Sequence, residues 1–211
     1  MATSGQTSTR ARTEPRTGKQ RGSSEIAERL LDGADVCFAK RGLSTTLTDL
    51  ADEVGVSRPT VYRYYADLDD VLRRLGMRQL RSFIAAAESS MPPSPTLADQ
   101  LADRVMAVLT GFPVEQRIPA FQRPEVRERA YHMVTRHPDY AAELRTMFQP
   151  LLEQAAADAQ LRYPDRVNEA IELIARFLDS IVTFPTPDGQ RDKQSIEEFV
   201  RRYLIPALLH V

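Results

Sequence analysis

The chain has 211 residues, 42% hydrophobic and 27% charged, with 28 lysines and arginines against 29 acidic residues and a net charge of −1. That suffices for one sizeable core or two modest ones, excludes a large multidomain assembly, and provides no bulk excess of positive charge. No run reaches the ~18 apolar residues of a membrane span, the first segment has no secretory apolar core, and the lone Cys37 cannot form an internal disulfide, so the expected location is cytoplasmic, with no membrane partner.

Charge is unevenly distributed. Residues 1–22 carry Arg10, Arg12, Arg16, Lys19 and Arg21 against Glu14 alone, in a Ser/Thr/Gly-rich context that cannot build a core. They read as a disordered basic arm, either a solubilising tail or a DNA-contacting one. From Ser23, Ala27, Leu30, Leu31, Ala34 and Phe38 recur at helical spacing, with Glu25 and Glu28 in the first turn and Gly42 at the end. Cys37 falls on this apolar face and reads as a buried thiol.

After "LST", Thr46 and Asp49 have the spacing of a capping box, followed by the apolar Leu50, Ala51 and Val54. Gly55 ends this short helix with a tight reversal, Ser57 is suited to cap the next one, and Pro59 fits a first helical turn, where a missing N–H costs nothing. Asp67 and Asp70 repeat the cap spacing before a long helix that runs to Pro92 and Pro93 and would span roughly 35 Å.

Two short capped helices around a glycine turn, braced by a preceding helix, predict a helix-turn-helix whose second helix enters a DNA major groove. Ser57, Arg58, Pro59, Thr60, Tyr62, Arg63 and Tyr64 would face DNA, while Val61 and Tyr65, four apart, pack inward. Arginine can grip guanine or phosphate, threonine can reach a base edge or a thymine methyl, and tyrosine hydroxyls position the sugar-phosphate backbone. The competing reading is an ordinary helical pair whose aromatics fill a core, but a core helix has no use for Arg58, Thr60 and Arg63 at outward positions.

The stretch "TTLTDLADEVGVSRPTVYRYYADLDDVL", residues 45–72, resembles the DNA-binding domain of the tetracycline-repressor (TetR) family. The likeness extends back through "LLDGADVCFAKRG", where Phe38 and Gly42 occupy the family's places; beyond these roughly fifty residues only length and helical layout agree. The resemblance implies that Thr46 caps the second helix against a phosphate and that Arg58, Thr60, Tyr62, Arg63 and Tyr64 lie at the operator surface. One position departs from the family. Where many members carry lysine at the start of the fourth helix, this chain has Leu68 among Asp67, Asp69 and Asp70, and the basic arm could compensate.

The remainder is helical in pattern, cut by proline-containing turns into segments at about 95–111, 123–136, 139–161, 165–183 and 192–209. The expected fold class is therefore all-α, with a helix-turn-helix DNA-binding domain at 23–68 and a larger helical domain at 69–211, to which the resemblance assigns effector binding and dimerisation. A helix-turn-helix reads only a short half-site, so a homodimer on a palindromic, double-stranded operator is expected. The last two helices carry broad apolar stripes, with Ala170, Ile171, Ile174, Phe177, Leu178 and Ile181 on one and Ile196, Phe199, Val200, Tyr203, Leu204 and Leu208 on the other. Such stripes serve a core or an interface equally well, and the resemblance implies a four-helix dimer bundle.

The resemblance also implies a cavity for a small apolar or amphipathic effector, with Phe83, Met106, Phe112, Phe121, Tyr131, Met147, Phe148 and Phe177 as candidate lining residues, each of which could also fill solid core. His132 and His137, five apart, do not share a helical face, and no metal or cofactor is expected. Enzyme function is not expected either, since the sequence has no phosphate-binding glycine loop, nucleophile-elbow serine or Cys/His cluster. The resulting expectation is a repressor released from its operator by an effector; the alternative is a DNA-binding dimer whose second domain only assembles.

Overall fold

The structure, a computed structural model, describes residues 18–91, 93–110, 118–184 and 192–210. Its elements are α1 (Gly18–Arg41), α2 (Leu47–Val54), α3 (Arg58–Tyr64), α4 (Leu68–Ser90), α5 (Leu97–Thr110), α6 (Pro124–Thr135), α7 (Pro138–Ala157), α8 (Val167–Thr183), α9 (Lys193–Phe199) and α10 (Ile205–Leu208). Short 3-10 turns at Gly42–Ser44 and Pro119–Gln122 complete it, and no strand occurs among the described residues beyond an isolated Leu161–Leu209 bridge. The fold is all-α. No described helix is long and apolar enough to cross a membrane.

Capping chemistry sets the boundaries of the first domain. Thr46 Oγ1 accepts from the Asp49 N–H at 3.1 Å while Asp49 Oδ2 accepts from the Thr46 N–H at 2.9 Å, a reciprocal box at the start of α2. Gly55 ends α2 in the left-handed region, with φ 71° and ψ 38°. A Cβ there would meet nothing within 4 Å, so Gly55→Ala carries the backbone penalty alone and should lower stability by about 1–2 kcal/mol in urea unfolding.

Helix α1 begins at Gly18, five residues before the expected start at Ser23, so the last residues of the predicted arm are helical. Lys19, Gln20 and Arg21 are good helix formers and let the backbone continue past the first apolar position. The rest of the arm lies outside the described residues.

Two buried clusters form, and α4 contributes to both. Leu30, Leu31, Ala34, Phe38, Leu47, Leu50, Ala51, Val61 and Tyr65 join Val71, Leu72 and Leu75 of α4 in the first cluster. Met77, Leu80, Ile84 and Ala87 of the same helix belong to the second. At 1.5 Å per residue α4 is long enough to serve both cores, which is why no linker separates them. The first cluster also takes Ile118, Ala120, Phe121, Val126 and Ala130 from the second half of the chain.

Polar contacts reinforce this junction. Asp35 on α1 accepts the Ala120 N–H at 2.7 Å, and Arg123 donates to the Ala39 carbonyl at 2.7 Å and to the Lys40 carbonyl at 2.9 Å, satisfying acceptors at the end of α1. Burial raises the Asp35 carboxyl pKa, opposed by the Ala120 N–H and by Arg78. Asp69 at the start of α4 makes a two-pronged pair with Arg129 of α6, at 2.8 and 2.7 Å, and this hydrogen bonding holds its carboxyl below the usual range. Gly76 lets α4 approach α6, since a Cβ there would lie 2.6 Å from Val134 Cγ2.

At the other end of the chain, Pro206 lacks the N–H that an α-helix would use, and the backbone passes through a π segment, Val200–Leu204, before α10 resumes. The apolar stripes of the last helices divide between two faces. Ala170, Ile171, Ile174, Leu178, Val200, Leu204 and Leu208 fill the second core, whereas Leu173, Val182, Phe184 and Tyr203 are exposed.

Candidate DNA-binding surface and ligand cavity

Helix α3 divides as its sequence predicts. Val61 and Tyr65 are fully buried, and the Tyr65 hydroxyl donates to the Ala27 carbonyl at 3.2 Å, anchoring α3 to α1. Burial pushes the Tyr65 phenol up to about 12, which keeps its proton for that bond. On the opposite face Ser57, Arg58, Pro59, Tyr62 and Arg63 are exposed, with Tyr62 61% accessible, while Thr60 and Tyr64 are half-buried.

The partners of these side chains separate available groups from committed ones. Arg58 has no hydrogen bond or ion pair among the described residues. Arg63 lies over the Tyr64 ring at 5.2 Å, and the Tyr64 hydroxyl donates to Ser23 Oγ at 3.3 Å, which keeps the N-terminal part of α1 beside the recognition helix. Ser57 occupies the N-cap position, but its side chain makes no capping bond; its hydroxyl pairs with that of Thr60 at 2.8 Å. Thr60, two residues into the helix, offers a hydroxyl that competes with the backbone for the serine.

Thr46 lines a depression with Tyr62, Thr48, Asp67, Leu68 and Arg129, so α2, α3 and the start of α4 converge on one concave face. The Thr46 hydroxyl also donates to Asp49 Oδ2 at 2.7 Å, so a phosphate at this corner would meet an oxygen already bound to a carboxylate, itself paired with Arg41 at 2.8 Å. The acids at the start of α4 are occupied locally. Asp67 caps the Asp70 N–H at 2.8 Å, Asp69 holds Arg129, and Asp70 pairs with Arg73 and Arg74.

A pocket of about 680 Å³, open to solvent on one side, lies between α4, α5, α6, α7 and α8. Two of the sequence candidates, Phe121 and Tyr131, line it. Met106, Met147 and Phe148 are buried in the second core instead, and Phe83 is half-buried against it. Phe177 stacks on Phe199 at 5.6 Å, which in turn contacts Tyr203 at 4.9 Å along the outer seam of α8 and α9. Phe112 lies outside the described residues. Met147 and Phe148 fill the space they point into, while the pocket is walled by Phe121, Tyr131, Tyr140 and Leu178 together with smaller side chains such as Val108 and Ala130.

Tyr131, Thr183 and Tyr140 supply polar lining. The Tyr131 hydroxyl donates to Asp179 Oδ1 at 2.9 Å and that of Thr183 donates to the same oxygen at 3.3 Å. Burial raises the Tyr131 phenol strongly, and it pushes Tyr140 up to about 12 with Asp179 adding to the effect. His132, beside Tyr131, also lines the cavity; among the described residues no three His, Cys, Asp or Glu side chains gather as a metal site.

A capped helix-turn-helix at the N-terminal end of an all-α chain is an arrangement that DNA-binding proteins use. Residues 30–75 match the family model described as bacterial regulatory proteins, tetR family. The match places a tetR-family DNA-binding domain in the N-terminal part of the chain. An uncharacterized HTH-type transcriptional regulator of Mycobacterium tuberculosis is 26% identical over 190 residues, covering 86% of each chain. Among solved structures, the fatty acid degradation regulator FadR of Bacillus halodurans superposes with a TM-score of 0.57 at 18% identity, over 91% of this chain and 97% of that one. FadR of Bacillus subtilis, solved in complex with stearoyl-CoA, gives 0.50 at 18% identity, over 84% and 97%.

Proposed function

We propose that the protein is a homodimeric repressor that binds a palindromic operator and leaves it when a small molecule with an apolar body enters the cavity of its second domain. One observation carries this reading: Phe121 belongs at once to the cavity wall and to the buried core of the helix-turn-helix domain. A ligand that displaces Phe121 shifts the 3-10 turn at Pro119–Gln122, and with it the contacts to Asp35 and to the end of α1. The ligand then favours an arrangement in which the two recognition helices no longer match successive grooves, with a coupling of roughly 1–3 kcal/mol.

In this reading Arg58 and Thr60 read bases, Arg63, Tyr62 and Tyr64 hold the sugar-phosphate backbone, and Ser57, Pro59 and Thr46 shape the corners of the interface. The second domain spans α4 onward and pairs with its copy through the exposed seam of α8 to α10. That a structurally similar FadR was solved with stearoyl-CoA supports a ligand role for this cavity.

The test uses a panel of apolar small molecules screened for an increase in melting temperature. Compounds that bind should lower operator affinity 5- to 150-fold, and Phe121→Ala should keep binding them while losing most of that release. Binders that leave operator affinity unchanged would make the second domain a purely assembling one. Deleting residues 1–17, which removes Arg10, Arg12 and Arg16, is expected to weaken binding to all DNA and to flatten its salt dependence by about 0.9 per lost phosphate contact.

A further inference from the structure

The cavity's polar lining limits what its occupant can be. Tyr131 and Thr183 both donate their hydroxyl protons to Asp179, so toward the cavity they present lone pairs rather than donors. Asp179 is half-buried and has no lysine or arginine partner among the described residues; its charge is met by two hydroxyls only. Tyr140, close enough to feel the same carboxylate, lines the cavity with a hydroxyl that has no hydrogen-bond partner among the described residues.

The positive side of the balance is thin. Arg127 is the one arginine among the described lining residues, and no lysine joins it. Arg127 donates to the Phe121 carbonyl at 3.3 Å and sits next to Glu128, an exposed carboxylate that also lines the cavity and has no ion-pair partner among the described residues. A ligand carboxylate or phosphate would have to give up its water near two carboxylates for a single arginine already engaged. The one further nitrogen-bearing side chain among the described lining residues is His132; Thr135 spends its hydroxyl proton on the Tyr131 carbonyl at 3.0 Å, and most of what remains is apolar, with Leu80, Val108, Leu109, Phe121, Leu178 and Val182.

We infer that this cavity takes an apolar molecule whose polar end donates hydrogen bonds, a protonated amine being the best fit, and that it rejects the same skeleton ending in a carboxylate. The inference rests on the ligand-responsive reading above and specifies the chemical class of that ligand. It sets this chain apart from the FadR solved with stearoyl-CoA, a polyanionic ligand.

Three matched probes test it: 4-phenylbutylamine, 4-phenylbutanol and 4-phenylbutyrate share a skeleton and differ in the end group. Titrated calorimetrically into the full-length protein, the amine should bind at least 10-fold more tightly than the carboxylate, with the alcohol between them. Asp179→Asn should erase the preference of amine over alcohol while the alcohol still binds, which reports that the variant is folded. Tyr131→Phe should weaken amine and alcohol together. A carboxylate that binds as tightly as the amine overturns the inference, as does a protein that binds none of the three. Operator binding is measured separately: an amine that binds without releasing DNA supports the chemical class and contradicts the effector reading, whereas a carboxylate that binds and releases DNA does the reverse.

Discussion

Replacing Arg58 with alanine is expected to lower affinity for the specific operator by about 1–3 kcal/mol per half-site, an effect that counts twice in a symmetric dimer, while binding to random DNA falls far less. The guanidinium stands exposed at the first position of α3 with no intramolecular hydrogen bond or ion pair among the described residues, so its loss removes little from the folded chain. Circular dichroism and melting temperature should therefore be unchanged. An equal loss on every sequence would reassign Arg58 from base reading to phosphate contact. Thr60→Ala is expected to act in the same direction but less strongly, because its hydroxyl is shared with Ser57.

The second large effect concerns assembly. Leu173 and Tyr203 are exposed, by 41% and 57%, on the seam where Phe177, Phe199 and Tyr203 form an aromatic run. In a two-fold dimer each change appears twice on a self-complementary patch, so the double substitution of Leu173→Glu with Tyr203→Glu would place four carboxylates in one apolar interface. A buried, unpaired charge costs several kcal/mol, and light scattering at micromolar concentration should show a monomer. Operator affinity should fall at least 100-fold, since a single recognition helix reads only half of the site. A variant that remains dimeric with full operator affinity would place the interface elsewhere. Because both residues are exposed in the single chain, the monomer itself should stay folded.

The parts of this molecule that were legible in its sequence are those governed by near neighbours. Thr46 with Asp49, Gly55, Pro59 and Asp67 with Asp70 announce helix ends through contacts three or four residues apart, and the inward pair Val61 and Tyr65 follows from helical periodicity. The missed features depend on contacts between distant residues. Nothing near Asp69 reveals that Arg129, sixty positions away, would hold it, nor that Phe121 would leave its own domain's core to join that of the other. The cavity escaped for a related reason. Large side chains attract attention as pocket walls, yet Met147 and Phe148 fill core while Phe121 and Tyr131 line the pocket, and which does which depends on how distant helices pack. Ser57 shows a subtler limit, since its position is that of a cap while its hydroxyl has turned to Thr60.

The same distant contacts join the start of α4 to the second half of the chain. The Asp69–Arg129 pair is largely exposed and adds little stability of its own. It does link the start of α4 to α6, the helix that carries Tyr131 to the cavity. With its carboxyl held below the usual range by the Arg129 hydrogen bonds, Asp69 stays charged through the ordinary carboxylate range, and the link weakens only as pH falls through that lowered value.

Operator recognition depends in this proposal on α3 reading base edges in a two-fold pair, and selection of bound sequences from a random DNA pool tests this most directly. The expected result is an enriched palindrome whose half-sites lie about 10–10.5 base pairs apart or a multiple of that, with Arg58→Ala relaxing the same position in both halves. A pool that stays unenriched, or that yields a single unpaired half-site, would contradict it.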